Sequence, residues 1–192
     1  MKKKLCAAVL ALSLACPSFH AQNLVNETPE QKDKRMEWFH KAKLGIFIHW
    51  GIYAVKGVSE SWSFYNKYLP HDEYLKQCEG FTASKYDPKA WVELIKESGA
   101  QYTVLTTKHH DGVALWDTKQ NGISVVKNTP AKRDLVTPFV NEVRKAGLRL
   151  GLYYSLPDWS HPDYPNMTRT DVRYKDDPKR WDNFCKFNFG QL

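Results

Sequence analysis

Three short apolar runs, each closing on polar or glycine residues, alternate along this chain with stretches of helical periodicity. The first, Leu44-Gly45-Ile46-Phe47-Ile48-His49-Trp50-Gly51, reads as a buried strand. Asp87-Pro88 then opens a helical segment with a capping carboxylate and a proline at the first position, and Gly99 closes it. Its apolar Trp91, Leu94 and Ile95 follow helical spacing. A second strand, Tyr102-Thr103-Val104-Leu105-Thr106-Thr107, comes directly after. Thr137-Pro138 to Gly147 repeats the cap, proline, helix and glycine pattern, and leads into a third strand from Leu148 to Ser155. A last helix starts near Asp177-Pro178 and runs through Trp181, Phe184 and Cys185. Strands alternating with helices in this way predict a parallel sheet with right-handed crossovers.

Polar residues gather at one end of each strand. His49 and Trp50 end the first, His109 and His110 the second, and Tyr153 and Ser155 the third, followed by Asp158 and Trp159. All are carboxyl ends, where parallel β/α proteins build their sites. Successive strand residues point to opposite faces, so both histidines of Lys108-His109-His110-Asp111-Gly112 reach one pocket only if the strand breaks into a loop there. Aromatic faces beside neutral imidazoles and hydroxyls suit a sugar, whose C–H face stacks on a ring while its hydroxyls take directional hydrogen bonds.

Composition narrows the class. The charge of +7 suggests nucleic acid, yet removing Lys2, Lys3 and Lys4 from 28 basic residues leaves 25 against 21 acidic, a formal +4. The remaining bases are interleaved with acids, as in Pro29-Glu30-Gln31-Lys32-Asp33-Lys34-Arg35, which describes a solvated helical face. Met1-Lys2-Lys3-Lys4 with the apolar run from Leu5 to Ala15 reads as a secretory signal peptide over residues 1–21, too short in its apolar part to span a bilayer. Export to a bacterial periplasm or cell surface follows. Leu12-Ser13-Leu14-Ala15-Cys16 also resembles an imperfect lipoprotein box, with Cys16 as the anchor. Cys78 and Cys185 then remain, as a disulfide or as two buried thiols. The sequons at Asn26 and Asn166 matter only in a eukaryotic secretory pathway.

Three motifs in register carry a family resemblance. Trp38-Phe39 with Lys43 to Tyr53, then Thr107-Lys108-His109-His110-Asp111-Gly112, then Gly151-Leu152-Tyr153-Tyr154-Ser155 with Asp158-Trp159, resemble the α-L-fucosidases of glycoside hydrolase family 29. The resemblance runs from about Glu37 to the end. It implies retaining exo-hydrolysis of terminal α-L-fucose from fucosylated glycans, on a (β/α)8-like barrel, without a cofactor. It further implies that His49, His109, His110 and Tyr153 contact the sugar, with Trp50, Glu60 and Trp62 beside them. Tyr153 is preferred to Tyr154 because Gly151, Tyr153 and Ser155 share a strand face, which leaves Tyr154 to face the helices. The family's adjacent Glu-Trp is interrupted here, since Ser61 stands between Glu60 and Trp62.

Retaining chemistry needs two carboxyl groups about 5 Å apart. The family's nucleophile ends its fourth strand, and its acid/base comes later still. Residues 22–192 therefore read as the N-terminal portion of such a barrel, about three β/α units, with no catalytic residue of its own. A full barrel takes roughly 250 residues. The expectation is a chain of low stability without fucosidase activity, because a half-built core buries less apolar area than ordering requires. Two further readings stand beside it. One is a non-catalytic fucose-binding remnant. The other is a metal-dependent barrel hydrolase holding an ion through His49, His109, His110 and Asp111, although Gly51 occupies the place of the second histidine in the usual first-strand pair.

Overall fold

The computed structural model describes residues 27–164 and 177–192. The expected leader over residues 1–21, Cys16 and the asparagines of both sequons lie outside the described residues. The chain divides into two units, residues 1–41 and 42–192. The first carries helix α1 (Pro29–Ala42), whose last residue belongs to the second unit. Its start is a reciprocal cap: Gln31 N donates to Thr28 Oγ1 while Thr28 N donates to Gln31 Oε1. Arg35 adds a two-pronged bond to the Glu27 carboxylate.

The second unit is an α/β fold. Strands β1 (Gly45–Ile48), β2 (Tyr102–Lys108) and β3 (Arg149–Tyr154) form a parallel sheet in the order β1-β2-β3. Between β1 and β2 come the short helices α2 (Trp62–Tyr65) and α3 (His71–Leu75), then α4 (Pro88–Glu97). Between β2 and β3 come α5 (Val125–Asn128) and α6 (Val136–Lys145). Helix α7 (Pro178–Gly190) follows. Among the described residues no helix is long and apolar enough to cross a membrane.

Each main helix shows its sequence logic. Asp87 caps α4 by accepting from Ala90 N, and Asp177 caps α7 by accepting from Arg180 N. Helix α6 corrects the expectation of a Thr137 cap. It begins at Val136, and Asp134 accepts from Val136 N, Thr137 N and the Thr137 hydroxyl. A carboxylate can serve several first-turn donors at once, so it displaces the hydroxyl as cap.

The register decides what each face of the sheet does. Ile46, Ile48, Leu105 and Leu150 face α4 and α6 and pack with Val92, Ile95, Phe139 and Val143. Leu94, expected on that buried stripe, is 65% exposed. Two residues on from Val92, it points to the other side of a 3.6-residue turn. The opposite face carries Gly45, Phe47, Val104, Gly151 and Tyr153 in cross-strand register. Phe47 is 54% exposed, so β1 is buried on one side and not on both as its apolar run suggested. A second core lies beyond the carboxyl ends of the strands, built from Ile52, Tyr53, Phe64, Tyr74, Phe81, Leu115 and Leu135. This packed loop layer gives the strand-end histidines a rigid floor. The two described cysteines are free thiols, Cys78 buried and Cys185 half-buried, which removes the disulfide alternative.

Candidate active site

His109 and His110 both turn toward the carboxyl end of the sheet, with ring centroids 4.4 Å apart. The break in alternation has a visible cause. The register shifts between Thr106 and Lys108, and after Lys108 the chain leaves the strand for a turn closed by Gly112 N donating to His109 O. Gly112 adopts φ +76°, a left-handed conformation that favours glycine. A Cβ there would also lie 2.3 Å from Asp158 Oδ1. The Asp-Gly pair is therefore required by shape.

Two serines orient the imidazoles. Ser61 Oγ lies 2.5 Å from His109 Nδ1 and donates to Glu60 Oε2 at 3.3 Å. Ser155 Oγ contacts His110 Nδ1 and donates to Pro157 O at 2.8 Å. Each serine has one proton, and each commits it to an oxygen acceptor. With each serine proton given to its oxygen acceptor, both histidines take the Nδ1–H tautomer and keep Nε2 as an acceptor. Burial holds the His109 imidazole neutral, pushing it down to about 3, with the neighbouring His110 and His49 acting in the same direction. Burial also lowers His110, against an opposing pull from Glu60.

The other expected residues divide. His49 is exposed and sits 4.9 Å from the His109 ring, and Tyr153 stacks on His109 at 5.7 Å. Glu60 accepts from Trp62 N at 2.7 Å and comes within 3.7 Å of His109 Nδ1, so the intervening Ser61 links the pair instead of displacing it. Trp62 lies 6.1 Å from His110. Trp50 does not join them. It stacks on Tyr86 at 5.3 Å and packs against Phe81 and Trp91. Next to His49 in sequence, its ring goes to the opposite side.

Several further side chains complete the cluster. Trp159 packs on His110 at 4.5 Å, stacks on Tyr65 at 4.7 Å and meets Trp62 edge-on at 5.3 Å. Lys108 is wholly buried, and its ammonium donates to Tyr154, Asp158, Asn188 and Gln191. Tyr154 thus faces the helical side, as the strand period required. Asp158 Oδ1 in turn accepts from Ser160 N and His161 N. The signals in sequence were a lysine closing an apolar strand and the Asp158-Trp159 pair after the third strand.

Asp111 serves the loop floor. Asp111 is buried, accepts from the Tyr74 hydroxyl at 2.7 Å and from Val113 N at 3.0 Å, and is pushed up to about 6 by burial. These bonds draw it into the loop floor, so His49, His109, His110 and Asp111 form no common ligand set. The ligand-competent group is instead His49, Glu60 and His109.

Fold and site together define an α/β protein whose cluster of imidazoles and aromatic rings stands at the carboxyl ends of parallel strands. The family model described as Alpha-L-fucosidase matches residues 12–192. The chain belongs to this family, glycoside hydrolase family 29. Tissue alpha-L-fucosidase of Macaca fascicularis is 36% identical over 163 residues, 75% of this chain and 35% of the relative. Alpha-L-fucosidase isoenzyme 1 of Paenibacillus thiaminolyticus superposes with a TM-score of 0.72 at 38% identity, over 83% of this chain and 39% of that one. A Bacteroides thetaiotaomicron family 29 α-L-fucosidase, trapped as a covalent intermediate with 2-fluoro-fucosyl fluoride, superposes at 0.71 with 36% identity, over 83% and 37% of the two chains. The chain spans about a third of the length of the curated relatives it matches.

Proposed function

We propose that these residues form the fucose-recognising portion of a retaining α-L-fucosidase barrel, acting on terminal α-L-fucose of glycans. The observation that carries this reading is the convergence of His49, His109 and His110 with Tyr153, Trp62 and Trp159, two of the imidazoles fixed as hydrogen-bond acceptors. Neutral acceptors beside aromatic faces match a deoxy sugar, with hydroxyls to bond and an apolar edge to stack. The covalent intermediate trapped in the Bacteroides relative supports retention.

The nucleophile and the acid/base belong, on this reading, to residues outside these 192. Retention requires two carboxyls about 5 Å apart at the reacting carbon. Asp111 is committed to Tyr74 and Val113, and Asp158 to Lys108 and two backbone amides. Glu60 alone among the acids named above stands in the pocket. The 192-residue chain therefore binds L-fucose and does not turn it over. Calorimetry with L-fucose, paired with an aryl α-L-fucoside assay, tests both halves. Binding without turnover is expected. Turnover that disappears in Glu60→Gln would place chemistry in this chain and overturn the assignment, while a folded chain with no heat of binding would overturn sugar recognition.

A further inference from the structure

His49 at the end of β1, Glu60 in the following loop and His109 at the end of β2 each present one ligand atom, all within 4.8 Å of one another. We propose that this trio binds a divalent transition-metal ion of the zinc or copper class, and that the ion and the sugar exclude each other. The exclusion rests on the sugar reading given above; the ion site does not.

Two imidazoles and one carboxylate are the protein donors of an open tetrahedral zinc site, with the fourth position left for water. Magnesium and calcium are poor fits, because they take six or more oxygen ligands and the trio offers a single carboxylate. Donors about 2.0–2.1 Å from a tetrahedral ion stand roughly 3.4 Å from one another. The three ligand atoms, within 4.8 Å of one another, have to close by roughly 1.4 Å at the widest to reach that separation. His49, an exposed side chain resting against Tyr53 and His109, supplies that movement by a rotamer change.

The surrounding bonds favour the same outcome. Ser61 fixes the His109 ring, the kind of outer hydrogen bond that orients metal-ligating histidines. Backbone amide Trp62 N holds Glu60 Oε2 in place, so the carboxylate arrives oriented.

The test uses the full 192-residue chain and cobalt(II) as a spectroscopic stand-in for zinc. One equivalent is expected to give the intense ligand-field absorption of a tetrahedral site, and zinc is expected to bleach it. His49→Ala, which removes an exposed side chain, and Glu60→Gln are each expected to weaken binding at least about tenfold, the lower end seen for losing even an outer partner. Far-UV circular dichroism should be unchanged, and His40→Ala on the solvated α1 should have no effect. L-fucose should raise the apparent Kd for zinc. A folded chain without the absorption, or equal affinity in both variants, overturns the site. Metal binding that fucose does not disturb overturns the exclusion. Fucose binding in EDTA with no cobalt site defeats the metal proposal and leaves sugar recognition standing.

Discussion

Lys108 Nζ lies 3.3 Å from Asp158 Oδ2, and both side chains are almost wholly withdrawn from solvent. The pair joins the end of β2 to the loop that follows β3, and Asn188 and Gln191 bring the end of α7 to the same ammonium. Burial depresses the lysine, and the Asp158 charge opposes that depression. The pair thus holds the loop bearing Trp159 against His110, where Trp159 N donates to His110 O at 2.7 Å.

Lys108→Met is expected to destabilise the chain by about 3–5 kcal/mol, because it leaves a buried carboxylate without its partner. The double variant Lys108→Met, Asp158→Asn is expected to recover part of that loss. Urea unfolding followed by circular dichroism checks both. A double variant no more stable than the single one would show that the two side chains do not act as a pair.

Gly112→Ala is expected to cost more than about 1 kcal/mol, since it places a Cβ at positive φ and drives it into the Asp158 carboxylate. The loss should appear in fucose affinity as well as in the unfolding midpoint, because both strand-end loops shift. An unchanged midpoint would contradict the close approach.

Stability should fall as pH drops below about 6.5, the ordinary histidine value, because burial lowers His109 and also His71, His110 and His161. The unfolded chain takes up those protons first, so the stabilisation is present above that pH and is lost as pH falls toward the depressed folded values. Asp111 acts in the opposite sense. Its folded value of about 6 exceeds the ordinary carboxylate value, so the folded state binds the proton more tightly between about pH 4 and 6, worth at most roughly 3 kcal/mol. Asp111→Asn removes this offset and should make the acid loss steeper over that interval. Unfolding midpoints at pH 7, 6, 5 and 4 read the difference, and parallel profiles would refute it.

Ser61→Ala and Ser155→Ala are expected to weaken fucose binding by about 0.5–1.5 kcal/mol each, the net worth of an ordinary hydrogen bond. Both act by releasing the tautomers of His109 and His110. Nitrogen NMR of the imidazoles should show the Nδ1–H form in the parent chain and a mixture in each variant. Unchanged tautomers would assign the serines to packing alone.

Alternation of apolar strands and capped helices was enough, in sequence, to place β2, α4 and α7 and to separate Tyr153 from Tyr154, because those features depend on local period and local capping. The family was legible for a related reason: three motifs spaced along one chain are a one-dimensional pattern. Trp50 was not legible, since adjacent residues at a strand end diverge by an amount that only the loop packing fixes. Nor was the extent of β1 burial, which depends on what covers the opposite face of the sheet. The sequence by itself determined the three strands, the helices α4, α6 and α7 between and after them, their parallel direction and the residue types at the strand ends. The tertiary structure alone decided that Ser61 and Ser155 set the tautomers, that Lys108 and Asp158 pair in the interior, and that Glu60 meets His109. These are contacts between residues 45 to 50 positions apart, and distance along the chain carries no information about distance in space.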